Sequence, residues 1–172
     1  VACGGTVPRV DASFDAGLRM SAPGAGKAAK AALVTVCRTL WPDPVVVFYG
    51  PCGTDEPDDY AEILDVTMSE AEARLSPLRQ RWHDFTLTGR IATYDGGGTE
   101  VQQTVTERAL DMLAELADYV QDSGTTPSTQ VTLGSTVQWA RLTEWELTEE
   151  PDEIEDGRKS TVDFTIAGRL LA

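Results

Sequence analysis

The sequence predicts an α+β fold, a mainly antiparallel or mixed β-sheet with two helices packed on one face, in the order α-β-β-β-α-β-β. Two segments carry apolar residues at helical spacing, and five others are short β-branched runs or alternate with period two. Their alternation leaves one sheet face polar, as expected where helices cover a sheet from one side only. Turn-forming clusters of Gly, Pro and acidic residues separate these segments.

Residues 1–23 are rich in Gly, Ala, Ser and Pro without periodicity, and are expected to form a flexible N-terminal arm ahead of a single domain spanning 24–172. Ala25 to Leu40 places Ala29, Leu33, Val36, Cys37 and Leu40 on one helical face, and Pro42 and Pro44 end it. Val45 to Tyr49 is a β-branched and aromatic run closed by Gly50-Pro51, which reads as a buried strand. An acidic loop, Thr54 to Tyr60, leads to a second strand around Ile63, Leu64, Val66 and Met68. From Gln80 to Tyr94, Phe85, Leu87, Gly89, Ile91 and Thr93 share one strand face, and Asp84, Thr86, Thr88, Arg90 and Ala92 share the other. Gly96-Gly97-Gly98 breaks this strand. Thr99 is then expected to cap a helix with Val101, Val105, Ala109, Met112, Leu113, Leu116 and Val120 in one stripe, stopped by Gly124. Two alternating strands close the chain. Val137, Trp139, Arg141, Thr143, Trp145 and Leu147 are expected on one face of the first, and Val162, Phe164, Ile166, Gly168 and Leu170 on one face of the second. The acidic stretch Thr148 to Gly157 is expected to join them as a long hairpin loop.

Composition narrows the function. A 172-residue chain with 41% hydrophobic residues can bury a real core as one domain. Its 14 basic residues against 28 acidic ones give a formal charge of −14, and the pI is about 4.3. That sign repels phosphate, so nucleic acid and anionic membranes are poor partners. The acids cluster in two stretches without a base, Thr54 to Ala73 and Glu144 to Asp156. Cys3, Cys37 and Cys52 are odd in number and lack metal-ligand spacing, which fits reduced thiols in a cytosolic setting rather than a disulfide framework. No apolar run reaches membrane-spanning length and the first twenty residues hold no signal-like core, so a soluble protein is expected.

The residues that usually carry catalysis are missing. His83 is the one histidine, and on a strand its neighbour Asp84 points to the opposite face, so the two cannot relay a proton. Gly24-Ala25-Gly26-Lys27-Ala28 lacks the first glycine and the final hydroxyl of a phosphate loop. Around Asp152 and Asp55 the acids miss the ligand spacing of a calcium loop, since Ile154 takes the third position in one and Pro57 interrupts the other. The expectation is a non-enzyme without cofactor or metal. Candidate interface residues are Trp82, Trp139 and Trp145, because tryptophan is enriched at binding hot spots, together with the acids Asp55, Asp58 and Asp59 of the first cluster.

Over Gly24 to Ala172 the layout resembles the tail terminator proteins of long, non-contractile-tailed bacteriophages. The resemblance rests on the opening helix followed by Pro44-Val45-Val46-Val47-Phe48-Tyr49-Gly50, and on the long alternating strand before Gly96-Gly97-Gly98. It continues in the second helix, in Thr132-Leu133-Gly134-Ser135-Thr136-Val137, and in the closing strand Val162-Asp163-Phe164-Thr165-Ile166. It implies a virion protein at the head-proximal end of the tail, assembled in the host cytoplasm. Such a protein forms a homohexameric ring that caps the tail tube, stops its growth, and offers a surface to the head-tail connector. The implied partners are copies of itself, the tube protein and the connector, with DNA passing through the lumen without specific binding and no membrane involved. Two other readings fit the composition: another head-tail completion protein, or a monomeric module whose acidic loops bind calcium or a basic partner.

Overall fold

In the computed structural model, residues 21–70, 82–121, 133, 137–152 and 157–171 are described. They form α1 (Ala22–Leu40), β1 (Val46–Phe48), β2 (Asp59–Glu70), β3 (Trp82–Gly96), α2 (Gln102–Gln121), β4 (Trp139–Asp152) and β5 (Gly157–Leu171). The strands make one five-stranded sheet in the order β1-β2-β3-β5-β4. Strand β1 runs parallel to β2, and the β2–β3, β3–β5 and β5–β4 pairs are antiparallel. The sheet is therefore mixed, and the expected α+β order holds.

Helix α1 starts at Ala22, inside the segment expected to be an arm. Ser21 caps it, its hydroxyl accepting from the Gly24 N–H at 3.4 Å, and Pro23 fits the first turn, where its missing donor costs nothing. Residues 1–20 of the expected arm lie outside the described residues. A Cβ on Gly26 would stand 2.6 Å from the Met68 sulfur, so this glycine lets α1 lie close over β2. The other end closes where the Trp41 N–H donates to the Cys37 carbonyl at 2.9 Å, with the Trp41 ring buried.

Helix α2 begins at Gln102 rather than Thr99, because Gly98 to Val101 form a turn that places Val101 N–H on the Gly98 carbonyl. Its stripe of Val105, Ala109, Met112, Leu113, Leu116 and Val120 is buried against β3, β5 and β4. Each side chain larger than Ala109 contributes roughly 1.5–3 kcal/mol on burial. Gly124 lies outside the described residues. Under the first turn of α2, the buried hydroxyl of Thr93 donates to the Val105 carbonyl at 2.9 Å. The Ser160 hydroxyl stands 2.9 Å from that of Thr106 and accepts from Gln102 at 3.1 Å. These polar groups are buried but satisfied, so they fix the register of helix on sheet.

At the centre of the sheet, the β3–β5 register pairs Phe85 with Gly168, Leu87 with Ile166, and Gly89 with Phe164. Each glycine faces a phenylalanine across the strand pair, and each ring fills the space that a Cβ would need.

Three expectations need correction. Strand β2 begins at Asp59, so Asp59 and Tyr60 are strand and not loop. The faces of β4 are not continuous, because a bulge between Leu142 and Glu144 inserts one residue against β5. Trp139 and Arg141 consequently lie on the outer face, whereas Trp145 and Leu147 pair with Phe164 and Val162 on the helix-covered face. Finally, β4 runs to Asp152 and β5 starts at Gly157, so Thr148 to Asp152 are strand rather than hairpin loop.

Candidate interaction surface

Among the described residues, the face opposite the helices is polar and carries no helix. It is crossed by two bidentate ion pairs between β3 and β5. Arg90 Nε stands 2.7 Å from Asp163 Oδ1, and Arg169 Nε stands 2.6 Å from Asp84 Oδ1. The bond from Arg169 holds the Asp84 carboxyl below the usual carboxylate range. Beside the first pair, Thr88, Arg90, Glu144, Glu146, Asp163 and Thr165 line a shallow groove of about 330 Å³. At one end the 50–58 loop folds over this face. Lys159 Nζ lies 2.6 Å from Glu56 Oε2, the Cys52 N–H donates to the Glu62 carboxylate, and Tyr60 is buried beneath. Glu56 is thereby held below the usual carboxylate range, chiefly through its bond to Lys159.

Of the candidate interface residues, Trp82 and Trp139 are half-buried at the end of the outer face away from that loop. They flank the Asp84–Arg169 pair, with Trp82 opposite Leu171 and Trp139 opposite Arg169. The Arg141 guanidinium stacks 5.6 Å from the Trp139 ring centroid. Trp145 stands apart from both on β4 and is 55% exposed, as open a large apolar side chain as the described residues hold. Asp55 and Asp58 are exposed in the covering loop. Asp59 is 9% exposed, with Arg108 Nη2 at 2.8 Å. That nitrogen also donates to the Tyr94 carbonyl at 2.7 Å. Asp59 Oδ1 and Arg108 Nε nevertheless lack well-directed hydrogen bonds, so the contact is an ion pair with imperfect alignment. Burial raises the Asp59 carboxyl above its ordinary value despite Arg108.

Neither described thiol is activated. Burial pushes Cys37 up to about 12. Cys52 is also raised, by burial first and then by Glu56 and Glu62. Paired with Leu170, His83 faces the helix side, while Asp84 faces Arg169 on the other. Among the described residues no group of three or more His, Cys, Asp and Glu is placed to hold a metal ion, and no helix is long and apolar enough to cross a membrane.

No protein-family model matches the chain, and neither does any curated protein. Among solved structures it is similar to a chain from the virion of a native gene transfer agent particle. The two are 15% identical, with 83% of this chain and 94% of that chain covered, at a TM-score of 0.40. A likeness at that level fixes neither family nor function.

Sequence reasoning missed the opposite edge of the sheet. There Val46 is 39% and Tyr49 is 50% exposed, with Lys30 Nζ seated 4.4 Å from the Tyr49 ring centroid. The Lys30 ammonium also donates to the Leu64 carbonyl, and Arg38 Nη2 donates to the Val47 carbonyl at 3.1 Å. One signal was available: residues 22–40 contain Lys27, Lys30 and Arg38 and no acid, in a chain of charge −14.

Proposed function

We propose that the protein is a structural, non-enzymatic component of a phage tail, a ring-forming cap that ends growth of the tail tube and presents a surface to the head connector. The observation that carries this reading is the sheet itself. Among the described residues only its inner face is covered by helices, and it ends on a 14-residue strand, β4, that pairs with β5 alone. Such a chain has a free face and a free edge for protein partners. The sequence resemblance to tail terminators supplies the particular assembly.

The mechanism requires no bond making. A growing tube exposes unsatisfied contacts at its open end, and a terminator complements that end while offering a surface on which a further tube subunit cannot dock. A strongly acidic chain also suits a passage for DNA, because like charge provides no adhesive sites along the wall. The test is to disable the gene in its phage and examine the particles by electron microscopy. Overlong, headless tubes are the expected outcome, and normal tails joined to heads would sink the reading.

A further inference from the structure

The large apolar side chains exposed among the described residues, Val46, Tyr49 and Trp145, sit at the two opposite edges of one sheet. Val46 and Tyr49 lie at the β1 edge and Trp145 lies on β4. Four strand spacings separate these edges, roughly 19 Å. The edges also differ in charge. Strand β4 carries Glu144, Glu146, Glu149, Glu150 and Asp152 against Arg141 alone. Helix α1, packed over β1 and β2, carries Lys27, Lys30 and Arg38 and no acid. Lys30 and Arg38 are held at the edge itself by their contacts with Tyr49, Leu64 and Val47.

We infer that the β4 edge of one copy docks on the α1–β1 edge of the next, head to tail. The inference rests on the ring reading above and names the surfaces that would close such a ring. Geometry favours this direction. Trp145 is on the helix-covered face of the sheet, so a neighbour continuing the sheet with its helices on the same side brings α1 towards that indole. Lys27 and Lys30 then approach its ring face and the exposed Glu149, which shares that face of β4 opposite Ser160, a combination of cation–π and charge contact. The receiving edge has room, because β1 pairs only with Tyr60 to Glu62 and leaves the rest of β2 without a strand beside it among the described residues. Two β4 edges do not suit each other, since each carries five acids against one base and like charges across a strand pair are destabilising. A contact between unlike edges repeats around a ring, whereas a contact between like edges ends at a dimer.

Salt alone is a poor probe, because it screens the edge attraction and the repulsion between two chains of charge −14 together. Charge reversal separates the two. One full-length variant carries Glu149→Lys, on the Trp145 face of β4, and the other carries Lys27→Glu and Lys30→Glu. Lys27→Glu alone serves where loss of the Lys30 contacts unfolds the chain, as judged by circular dichroism. Sedimentation velocity should show the wild type associating and each variant weakened at least tenfold. An equimolar mixture of the two variants should recover assembly as alternating rings, since each reversed β4 edge then meets a reversed α1 edge. Variants that associate like the wild type would overturn the edge assignment and leave the ring reading intact. A discrete dimer that the mixture cannot convert would do the same. A wild type still monomeric near 1 mM would overturn the pairing, because both edges are complete in one chain; tube length in the phage then judges the capping reading separately.

Discussion

Gly89 gives a sharp test of how the sheet is packed. A Cβ there would stand 2.8 Å from the Glu62 carbonyl oxygen and nearer still to the Phe164 ring. The carbonyl belongs to β2 and cannot retreat without disturbing its ladder, so the ring must give way. Gly89→Ala therefore sets roughly 1–3 kcal/mol of overpacking against a gain of about 0.5–1 kcal/mol from a less flexible unfolded chain. A net loss of about 1–2 kcal/mol is expected from those two ranges. Phe164→Ala should cost more, about 3–5 kcal/mol, because the ring is 2% exposed and its removal leaves a cavity. In the double variant the new methyl occupies space vacated by the ring, and the contact with Glu62 is what persists. The double variant should thus be less destabilised than the sum of the singles by about 1 kcal/mol. Urea unfolding followed by circular dichroism, at a protein concentration low enough to exclude association, measures all four corners of this cycle. Additivity to within about 0.3 kcal/mol would mean that Gly89 and Phe164 do not share space, and the glycine–phenylalanine register would be wrong.

Leu116→Ala and Leu113→Ala should each cost about 2–5 kcal/mol, since both side chains are buried under α2; losses below about 1 kcal/mol for both would place that stripe at the surface. Asp59→Asn should change the pH dependence of stability. The carboxyl is raised by burial, so the folded state favours its protonated form and wild-type stability declines as pH rises from its ordinary value through the folded one. Melting temperatures measured from pH 3 to 7 should show the variant gaining on the wild type over that window, and a difference that falls with pH would refute the burial argument. Fluorescence anisotropy should detect no duplex DNA binding at physiological salt, given a charge of −14; micromolar affinity would contradict the electrostatic reading.

The elements that declare themselves locally were legible in the sequence. Strands β3 and β5 alternate without interruption, so Phe85, Leu87 and Gly89 could be grouped on one side of β3, and Phe164, Ile166 and Gly168 on one side of β5, before the ladder joined them on the same sheet face. The stripe of α2 is similarly self-evident from its period. Strand β4 hid its bulge because Leu142-Thr143-Glu144 reads as ordinary alternation; only the ladder with β5 reveals the extra residue that separates Trp139 from Trp145. Asp59 looked solvated because its neighbours are acidic. What buries it is an arginine on α2, Arg108, remote in sequence. The start of α1 was missed for a different reason. Pro23 and Gly24 argue against helix by propensity, yet both fall in the first turn behind the Ser21 cap, where proline loses no helical hydrogen bond.

The charge distribution bears on what kind of assembly this fold permits. An exposed strand as long as β4 invites pairing with any other edge, and charged residues and proline are common safeguards against it. Glu144, Glu146, Glu149, Glu150 and Pro151 supply both on β4. They disfavour a second β4 and most of the chain's own acidic surface, but not an edge where Lys30 and Arg38 are held. In the proposed pairing, the restriction that prevents indiscriminate aggregation would also select a complementary surface on an identical chain. Once used head to tail, that pairing consumes both sheet edges of every copy. The outer face, with its Arg90–Asp163 and Arg169–Asp84 pairs and the Trp82 and Trp139 rings, then remains for partners of a different kind. An object whose self-contacts are exhausted while a polar, partly aromatic face stays open meets the physical requirement for ending one polymer and beginning another connection.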